Sequence, residues 1–506
     1  MSQEIRRVGV VGAGAMGRGI AQVCAAAGCK VQLFDMAQDA VARARDAVRD
    51  DLAQGVAKGR LAQEDADATL ARIQPAGELS LFGDCDLVVE AIVEQVKAKQ
   101  QLFQALEAIV APHCILATNT SSLSVTAIAA ACSKPQRVAG WHFFNPVPRM
   151  RLVEVVQAPR TTIAVVDALV ALSKKAGHRA VVTSDSPGFV VNHAGRAFVT
   201  EGLKLLAERA ADHEVLDAIL RTCAGFRMGP FELLDLTGLD VSVPVMESIH
   251  AQYYGDDRYR PAALARTRMA AGLLGRKSKE GFYRYEGGAA RDAPVAPAVP
   301  EEDDVEPNVW WPTEGAGSLP AEVAALLGSA HRCADTIRAD LILLAPLGRD
   351  LSSTVADMAI NPGKTIAIDP LFSSKAGVTL MVSPATTAST VQAARQLFAA
   401  QGIPSFVVAD SPGYVAPRVL ACIVNLACEM AQQGIATPAD LDAAVRLGLG
   451  YPTGPFEWGD RLGATRILVV LQGLYDTFGD QRYRPSPWLV RRARLSLSLS
   501  APDRAV

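Results

Sequence analysis

The chain carries no cysteine framework. Its nine cysteines are scattered, none in CxxC or CxxH spacing. An odd, unframed set suits a reducing cytosol and argues against structural zinc. None of the seven histidines has a second at ligand spacing, so no metal is expected. Charge of one sign is also missing: the net charge is −3, which predicts no nucleic-acid footprint and no basic membrane face. The opening residues, Met1-Ser-Gln-Glu-Ile-Arg-Arg7, lack the apolar core of a signal peptide. No uncharged apolar run is long enough to span a bilayer. What remains is a cytoplasmic, globular reading. Half of the 506 residues are apolar and a fifth charged, enough for roughly three or four domains.

A nucleotide site opens the chain. The apolar run Val8-Gly-Val-Val11 leads into Gly12-Ala13-Gly14-Ala15-Met16-Gly17, then a helical run stopped by Gly28, then Lys30–Asp35. The order is strand, GxGxxG, helix, strand, acid. Gly12 allows the tight turn, Gly14 lets a pyrophosphate reach the helix N-terminus, and Gly17 lets helix and strand pack closely. Asp35 stands where it accepts hydrogen bonds from an adenosine ribose and repels a 2′-phosphate, which favours NAD over NADP. A glycine turn without a ligand is the alternative. Residues 38–73 predict two helices broken near Gly55–Gly59, with Lys58 and Arg60 at the break able to meet a phosphorylated ligand. Asp86–Glu94 is the next strand and its exit, followed by a helix through Ala108. Ligands in such sheets lie beyond the carboxyl ends of the strands, so Glu94 and Lys99 are cofactor contacts on this reading, or ordinary helix-surface charge. Cys114–Thr118 is a further strand, and Thr118-Asn-Thr-Ser-Ser122 at its exit suits hydroxyl contacts to a substrate. Ser122 serves equally as a helix N-cap.

Next comes Trp141-His142-Phe-Phe-Asn145-Pro146, a short link, and Arg151-Leu-Val-Glu154-Val-Val156. Two β-prone runs around a proline turn predict a hairpin. His142 and Glu154 are equidistant from Pro148, so they face each other across the ladder. A carboxylate that fixes an imidazole tautomer and stabilises its protonated form makes a general base. A buried structural ion pair has the same signature. After a helix near Thr162–Ala176 comes Asp185-Ser-Pro-Gly-Phe-Val190, and from Phe189 to Gly281 the pattern is helical. Asn192 sits at the start of that second domain, a polar residue facing a cleft.

With these motifs in order, residues 5–285 resemble the NAD-dependent (S)-3-hydroxyacyl-CoA dehydrogenases. Gly229-Pro-Phe-Glu-Leu-Leu234 and Lys279-Glu-Gly-Phe-Tyr283 belong to the same resemblance. It implies an acyl-CoA thioester substrate and NAD as cofactor. His142 would be the base, Glu154 its partner, and Ser121 and Asn192 the groups holding the substrate's 3-oxygen. Asp35, Glu94, Lys99, Asn145 and Lys277 would contact the cofactor, and Lys58 and Lys99 the CoA moiety. Rival readings are a dehydrogenase of small β-hydroxyacids with a lysine base, and a non-catalytic NAD-binding scaffold.

Beyond residue 285 the chain repeats itself. Glu286–Asn308 reads as a linker. Asp185-Ser-Pro-Gly recurs as Asp410-Ser-Pro-Gly413 and Gly229-Pro-Phe-Glu as Gly454-Pro-Phe-Glu457, both at the same offset. In that frame His142 falls on Ile366, Glu154 on Thr379 and Asn192 on Pro417. Gly315-Ala-Gly317 lacks the third glycine of a dinucleotide fingerprint, with Pro320 in its place. The expected fold is therefore an α/β Rossmann-type domain (1–185), an all-α helical domain (186–285), a linker (286–309), a degenerate, empty Rossmann-like domain (310–409), a second helical domain (410–495) and a frayed tail (496–506). The second helical domain is expected to pack on the first as a covalent stand-in for a dimer partner, giving a monomer with an internal pseudo-dimer, or a homo-oligomer. Two-copy chains of this kind resemble bacterial dehydrogenases of phenylacetate degradation, which implies 3-hydroxyadipyl-CoA as substrate. 3-Hydroxybutyryl-CoA is the alternative. A dicarboxylic tail would want a cation, and Arg149, Arg151, Arg196, Lys204, Arg221 and Arg227 are the candidates by sequence.

Overall fold

The computed structural model describes residues 4–503 except Gln38, 287–288, 291–306, Ala316 and Ser329. Most of the expected linker lies outside these residues. The chain divides into two compact units: Met1–His193 with Gln433–Leu449, and Ala194–Gln432 with Gly450–Val506. The second helical repeat, expected over 410–495, is shared between the two units. It lends residues 433–449 to the first unit.

The first unit is built on an eight-stranded sheet: β1 (Arg7–Val11), β2 (Lys30–Phe34), β3 (Ile73–Pro75), β4 (Leu87–Glu90), β5 (Ile115–Thr118), β6 (Val138–Phe143), β7 (Leu152–Gln157) and β8 (Arg179–Ser184). Their order is β3-β2-β1-β4-β5-β6-β7-β8. All neighbours are parallel except β6 and β7, the hairpin read from the sequence. Helices cover both faces of a parallel sheet, so its central strands are buried, and β4, β5 and β6 are buried at every residue. The helical excursion forms as Ala40–Ala57 and Gln63–Arg72, with the break where Lys58 and Arg60 lie exposed. It returns as the short edge strand β3, which no run of apolar residues announces. The helix after β5 is Val125–Ala129, and its N-cap is Ser124 rather than Ser122: the Ser124 hydroxyl accepts from the Ala127 N–H. Asp185 secures the same helix start by accepting the Ser124 hydroxyl at 2.8 Å and the Thr126 N–H at 2.7 Å.

The outer edge of this sheet is closed from the far end of the sequence. Ser184 on β8 donates its N–H to the Ile435 carbonyl at 2.9 Å. The helix Pro438–Gly448 follows, tied to the sheet by Arg179–Asp440 at 2.7 Å.

In the second unit five strands, Val309–Trp310, Leu341–Leu344, Thr365–Ile368, Val378–Val382 and Ser405–Ala409, stand in chain order with the third and fourth antiparallel. That is the arrangement of β4 to β8. Among the described residues β1 to β3 have no counterpart, so Gly315 and Gly317 follow the equivalent of β4 and are not remnants of the fingerprint loop. The hairpin of the repeat is also shorter. Ladder pairing continues to Asp369 opposite Thr379, with the Asp369 N–H on the Thr379 carbonyl at 3.0 Å. Asp369, not Ile366, thus stands where His142 stands in the first half, because the shorter hairpin moves the strand by more than the sequence repeat shows.

The two helical repeats pack on each other within the second unit. Helix Ala416–Gln432 lies against Arg196–Ala207. The fully buried Arg418 reaches Glu201 at 2.6 Å, Glu208 at 2.7 Å and the Tyr483 hydroxyl at 2.7 Å. Reciprocal bonds mark a pseudo-two-fold. Arg258 donates to the Arg484 carbonyl (3.0 Å) and Arg482 to the Arg260 carbonyl (2.6 Å). The sheet edges obey the same exchange. Ala409, the repeat equivalent of Ser184, donates to the carbonyl of Ala210, the repeat equivalent of Ile435. Each helical repeat closes the sheet of the other half, the self-complementary pattern of an isologous dimer in one chain.

The glycine motifs serve the helical fold. Asp217 accepts the Phe231 and Glu232 N–H groups at the start of helix Pro230–Thr237, and the Tyr283 hydroxyl. A Cβ on Gly229 would lie 2.0 Å from its carboxylate. Burial pushes the Asp217 carboxyl up to about 7. The described part of the C-terminal tail, 496–503, is not frayed. Leu499 is fully buried and fills the space a side chain on Gly459 would need, and its N–H reaches Asp460 at 2.6 Å.

Candidate active site

The hairpin delivers the pair its sequence predicts. His142 and Glu154 are ladder partners, and Nδ1 lies 2.6 Å from Oε2. Both side chains are buried, Glu154 completely. A carboxylate only accepts, so the Nδ1 nitrogen carries the proton and Nε2 is the ring's acceptor. The rings of Phe144 and Phe189 stand over the imidazole, at 4.5 and 5.8 Å between centroids. The other oxygen of Glu154, Oε1, accepts the N–H groups of Val190 (2.9 Å) and Val191 (2.8 Å). Those two N–H groups point inward because the chain turns through the left-handed region at Gly188 (φ 79°) and Phe189 (φ 49°). A bulky residue in that region is strained, a state held only where the surroundings fix it. The Asp-Ser-Pro-Gly-Phe motif is this turn.

The same segment brings Asn192 to the polar strand exit: its Nδ2 donates to the Ser121 carbonyl at 3.4 Å. Ser121 is exposed and Asn192 half-buried, open to a ligand. Glu94 organises the exit. It accepts the Thr120 hydroxyl at 2.6 Å, the Ser121 N–H at 2.9 Å and the Ser122 hydroxyl at 3.0 Å. Burial works to raise its carboxyl, but the Thr120 hydroxyl and the Lys99 ammonium outweigh it and hold it below the usual carboxylate range.

Lys99, expected to contact the cofactor and CoA, stands among acids. Its ammonium is 1% exposed, 2.6 Å from Glu90 and 3.2 Å from Glu94. A buried charge needs such partners, and this lysine turns inward to hold the two acids. Glu90 is the residue sequence reasoning missed. It ends β4, is fully buried, and also accepts the Thr118 hydroxyl at 2.7 Å. A lone acid closing the apolar run Leu87-Val-Val was the available signal.

Beyond the carboxyl ends of β1, β2 and β4 lies a cavity of about 680 Å³ lined by Gly12, Gly14, Asp35, Ile92 and Leu102, among others. A Cβ on Gly12 would lie 2.4 Å from the Ala91 carbonyl, and one on Gly17 1.8 Å from the Gly12 carbonyl, whereas one on Gly14 meets nothing within 4 Å. Two glycines are needed for packing, and the third faces open space where a pyrophosphate can approach. Asp35 is fixed at the end of β2 by the Ala13 and Ala37 N–H groups, at 2.8 and 2.9 Å. These residues fit a dinucleotide.

Family models agree with the geometry. The 3-hydroxyacyl-CoA dehydrogenase NAD binding domain matches residues 7–186, and the C-terminal domain of the same family matches twice, at 188–285 and 413–498. The chain belongs to the 3-hydroxyacyl-CoA dehydrogenases. It is an NAD-dependent enzyme of that family, with the helical domain duplicated. It is 35% identical to the 3-hydroxyadipyl-CoA dehydrogenase of Escherichia coli over 98% of this chain and 99% of that one. It is 42% identical to a probable 3-hydroxybutyryl-CoA dehydrogenase of Deinococcus radiodurans, which covers 55% of this chain and all of its own. A crystal structure described as 3-hydroxybutyryl-CoA dehydrogenase from Escherichia coli superimposes with a TM-score of 0.87 at 35% identity, covering 97% of this chain and 99% of that one. The names of these relatives differ in the acyl chain.

The remaining expected contacts are distributed as follows. Asn145 is exposed in the loop after β6, and Lys58 is exposed on the helical excursion. Lys277 belongs to the second unit, where it pairs with Asp240 at 2.5 Å. Of the candidate tail cations, Arg149 pairs with Asp51, Lys204 with Glu208 and Arg221 with Glu232. No helix among the described residues is long and apolar enough to cross a membrane.

Proposed function

We propose that His142 is the general base of (S)-3-hydroxyacyl-CoA oxidation and that 3-hydroxyadipyl-CoA, an intermediate of phenylacetate-type aromatic degradation, is the substrate. The observation that carries the first part is the 2.6 Å contact of His142 with a fully buried Glu154 whose two oxygens are both engaged by N–H groups. Oxidising a secondary alcohol removes a proton from oxygen and a hydride from carbon. His142 Nε2 takes the hydroxyl proton, and Glu154 balances the positive charge then gained. Ser121 and Asn192 hold the 3-oxygen beside the base. NAD, when bound, supplies the hydride acceptor, with Gly12, Gly14, Gly17 and Asp35 holding it. A positioned base of this kind contributes about 10² to 10⁴-fold in rate.

The adipyl assignment is supported by similarity along nearly the whole chain to a 3-hydroxyadipyl-CoA dehydrogenase. 3-Hydroxybutyryl-CoA is the second reading, favoured by the similarity of the first half to shorter butyryl enzymes. NADH formation with butyryl, medium-chain and adipyl (S)-3-hydroxy thioesters separates them. A higher kcat/KM for the adipyl form is expected; a higher value for the butyryl form would remove the pathway assignment and leave the chemistry.

A further inference from the structure

The dyad is steadied by a part of the chain far from it in sequence. Glu154 Oε1 is held by the N–H groups of Val190 and Val191. The side chain of Val191 in turn meets the end of helix Pro438–Gly448, the piece of the second repeat that belongs to the first unit. At the last residue of that helix, a Cβ would lie 2.9 Å from Val191 Cγ2 and 2.9 Å from Leu152 Cδ2. Gly448 has no positive φ, so no turn requires glycine there. Glycine is also a poor helix former. The space is what requires it.

The other half solves the same contact in reverse. In the frame of the duplication Cys223 is the counterpart of Gly448, and Gly377 is the counterpart of Leu152. A Cβ on Gly377 would lie 3.1 Å from Thr222 Cγ2 and 3.5 Å from Cys223 Sγ. In the first unit the large residue is on the strand and the glycine on the helix. In the second the glycine is on the strand and the side chains are on the helix. Each helix therefore fits its own sheet. Only in the first unit does the contact bear on a turn that holds a catalytic carboxylate, because Thr379 replaces Glu154 in the second.

We propose that the second repeat positions the catalytic dyad, with Gly448 the residue through which its helix holds the Val190–Val191 turn against Glu154. The proposal rests on His142 being the base. A side chain at 448 displaces Val191, its N–H leaves Oε1, and the carboxylate is free to swing away from Nδ1. Small errors in the placement of a reacting group lower the chemical step more than binding.

The test uses the full chain with Gly448→Ala and Gly448→Val, each checked by thermal melting and NAD binding. On the order of a tenfold fall in kcat is expected for Gly448→Ala, with KM for NAD and thioester within about twofold, since the lost interaction belongs to the transition state. Adding Val191→Ala, which removes the methyls but keeps the N–H, should restore kcat in part, the Leu152 contact remaining. Should Gly448→Val not fold, the alanine pair decides. A wild-type kcat in Gly448→Ala, a parallel loss of kcat and binding, or no rescue by Val191→Ala would each overturn the proposal. If the wild type oxidises no thioester, the reading of His142 as base fails instead. The NMR resonance of the His142 Nδ1 proton then decides the positioning: altered in Gly448→Ala if the helix holds the dyad, unchanged if it does not.

Discussion

Replacing Glu154 with Gln is the sharpest perturbation of the dyad. The shape is kept and the burial cost falls, since a neutral amide replaces a fully buried carboxylate. The amide oxygen still accepts from Val190 and Val191, 2.9 and 2.8 Å away in the native protein. That leaves the NH₂ facing His142 Nδ1 at the 2.6 Å contact. Two donors cannot share it, so the imidazole moves its proton to Nε2, the nitrogen proposed to accept from the substrate. The counter-charge of the imidazolium is lost as well. Where an asparagine replaces the aspartate behind a catalytic histidine, the wrong tautomer lowers kcat by roughly 10⁴. The same reasoning here gives a fall of about 10³ to 10⁴, equivalent to roughly 4–5.5 kcal/mol in the barrier. Steady-state NADH formation at saturating NAD and thioester measures it. KM should change little, because the loss is in the transition state. A Glu154→Gln enzyme within about tenfold of wild-type kcat would refute the reasoning, because tautomer control would then contribute little to the step.

Asp35→Ala should raise KM for NAD by about 10 to 100-fold, the worth of a hydrogen bond to a charged group, and narrow the preference over NADP; an unchanged NAD/NADP ratio of kcat/KM counts against the ribose contact. Lys99→Met leaves the buried Glu90 without its cation, so stability should fall by about 3–5 kcal/mol in denaturant melts while KM for the thioester holds. A selective rise in that KM would restore Lys99 to the CoA site. In the second unit Asp369 has one carboxylate oxygen without a hydrogen-bond partner among the described residues, and burial pushes it up to about 7 from an ordinary value of 3.8. A raised pKa favours the protonated form in the fold, so its contribution is whole below about pH 4 and is lost as pH rises towards 7, by roughly 1.4 kcal/mol per unit. Asp369→Asn should therefore gain stability relative to wild type across that window, and a pH-independent difference would show that the carboxyl does not titrate there.

Much of this was legible because the signals were local. The strand–glycine–helix–acid order needs only periodicity, and the facing of His142 and Glu154 needs only their equal distance from Pro148. The duplication is visible because the Asp-Ser-Pro-Gly and Gly-Pro-Phe-Glu motifs recur at one constant offset. What escaped depends on contacts distant in sequence. Nothing near Ser184 announces that Ile435 closes its strand edge, and a lysine in the first turn of a helix gives no sign that it turns inward to two acids. The shortening of the second hairpin falls in a stretch too diverged to align, so the counterpart of His142 was placed at Ile366 and not at Asp369. The tail reads as frayed because the partner of Leu499 is the space left by Gly459, 40 residues away.

The most direct test of the central claim is NADH formation from NAD and (S)-3-hydroxyacyl-CoA by the wild type beside His142→Ala, with NAD binding measured on both. The dyad account predicts turnover by the wild type, a loss of about 10² to 10⁴-fold in the variant, and equal NAD affinity. A variant as active as the wild type would contradict it.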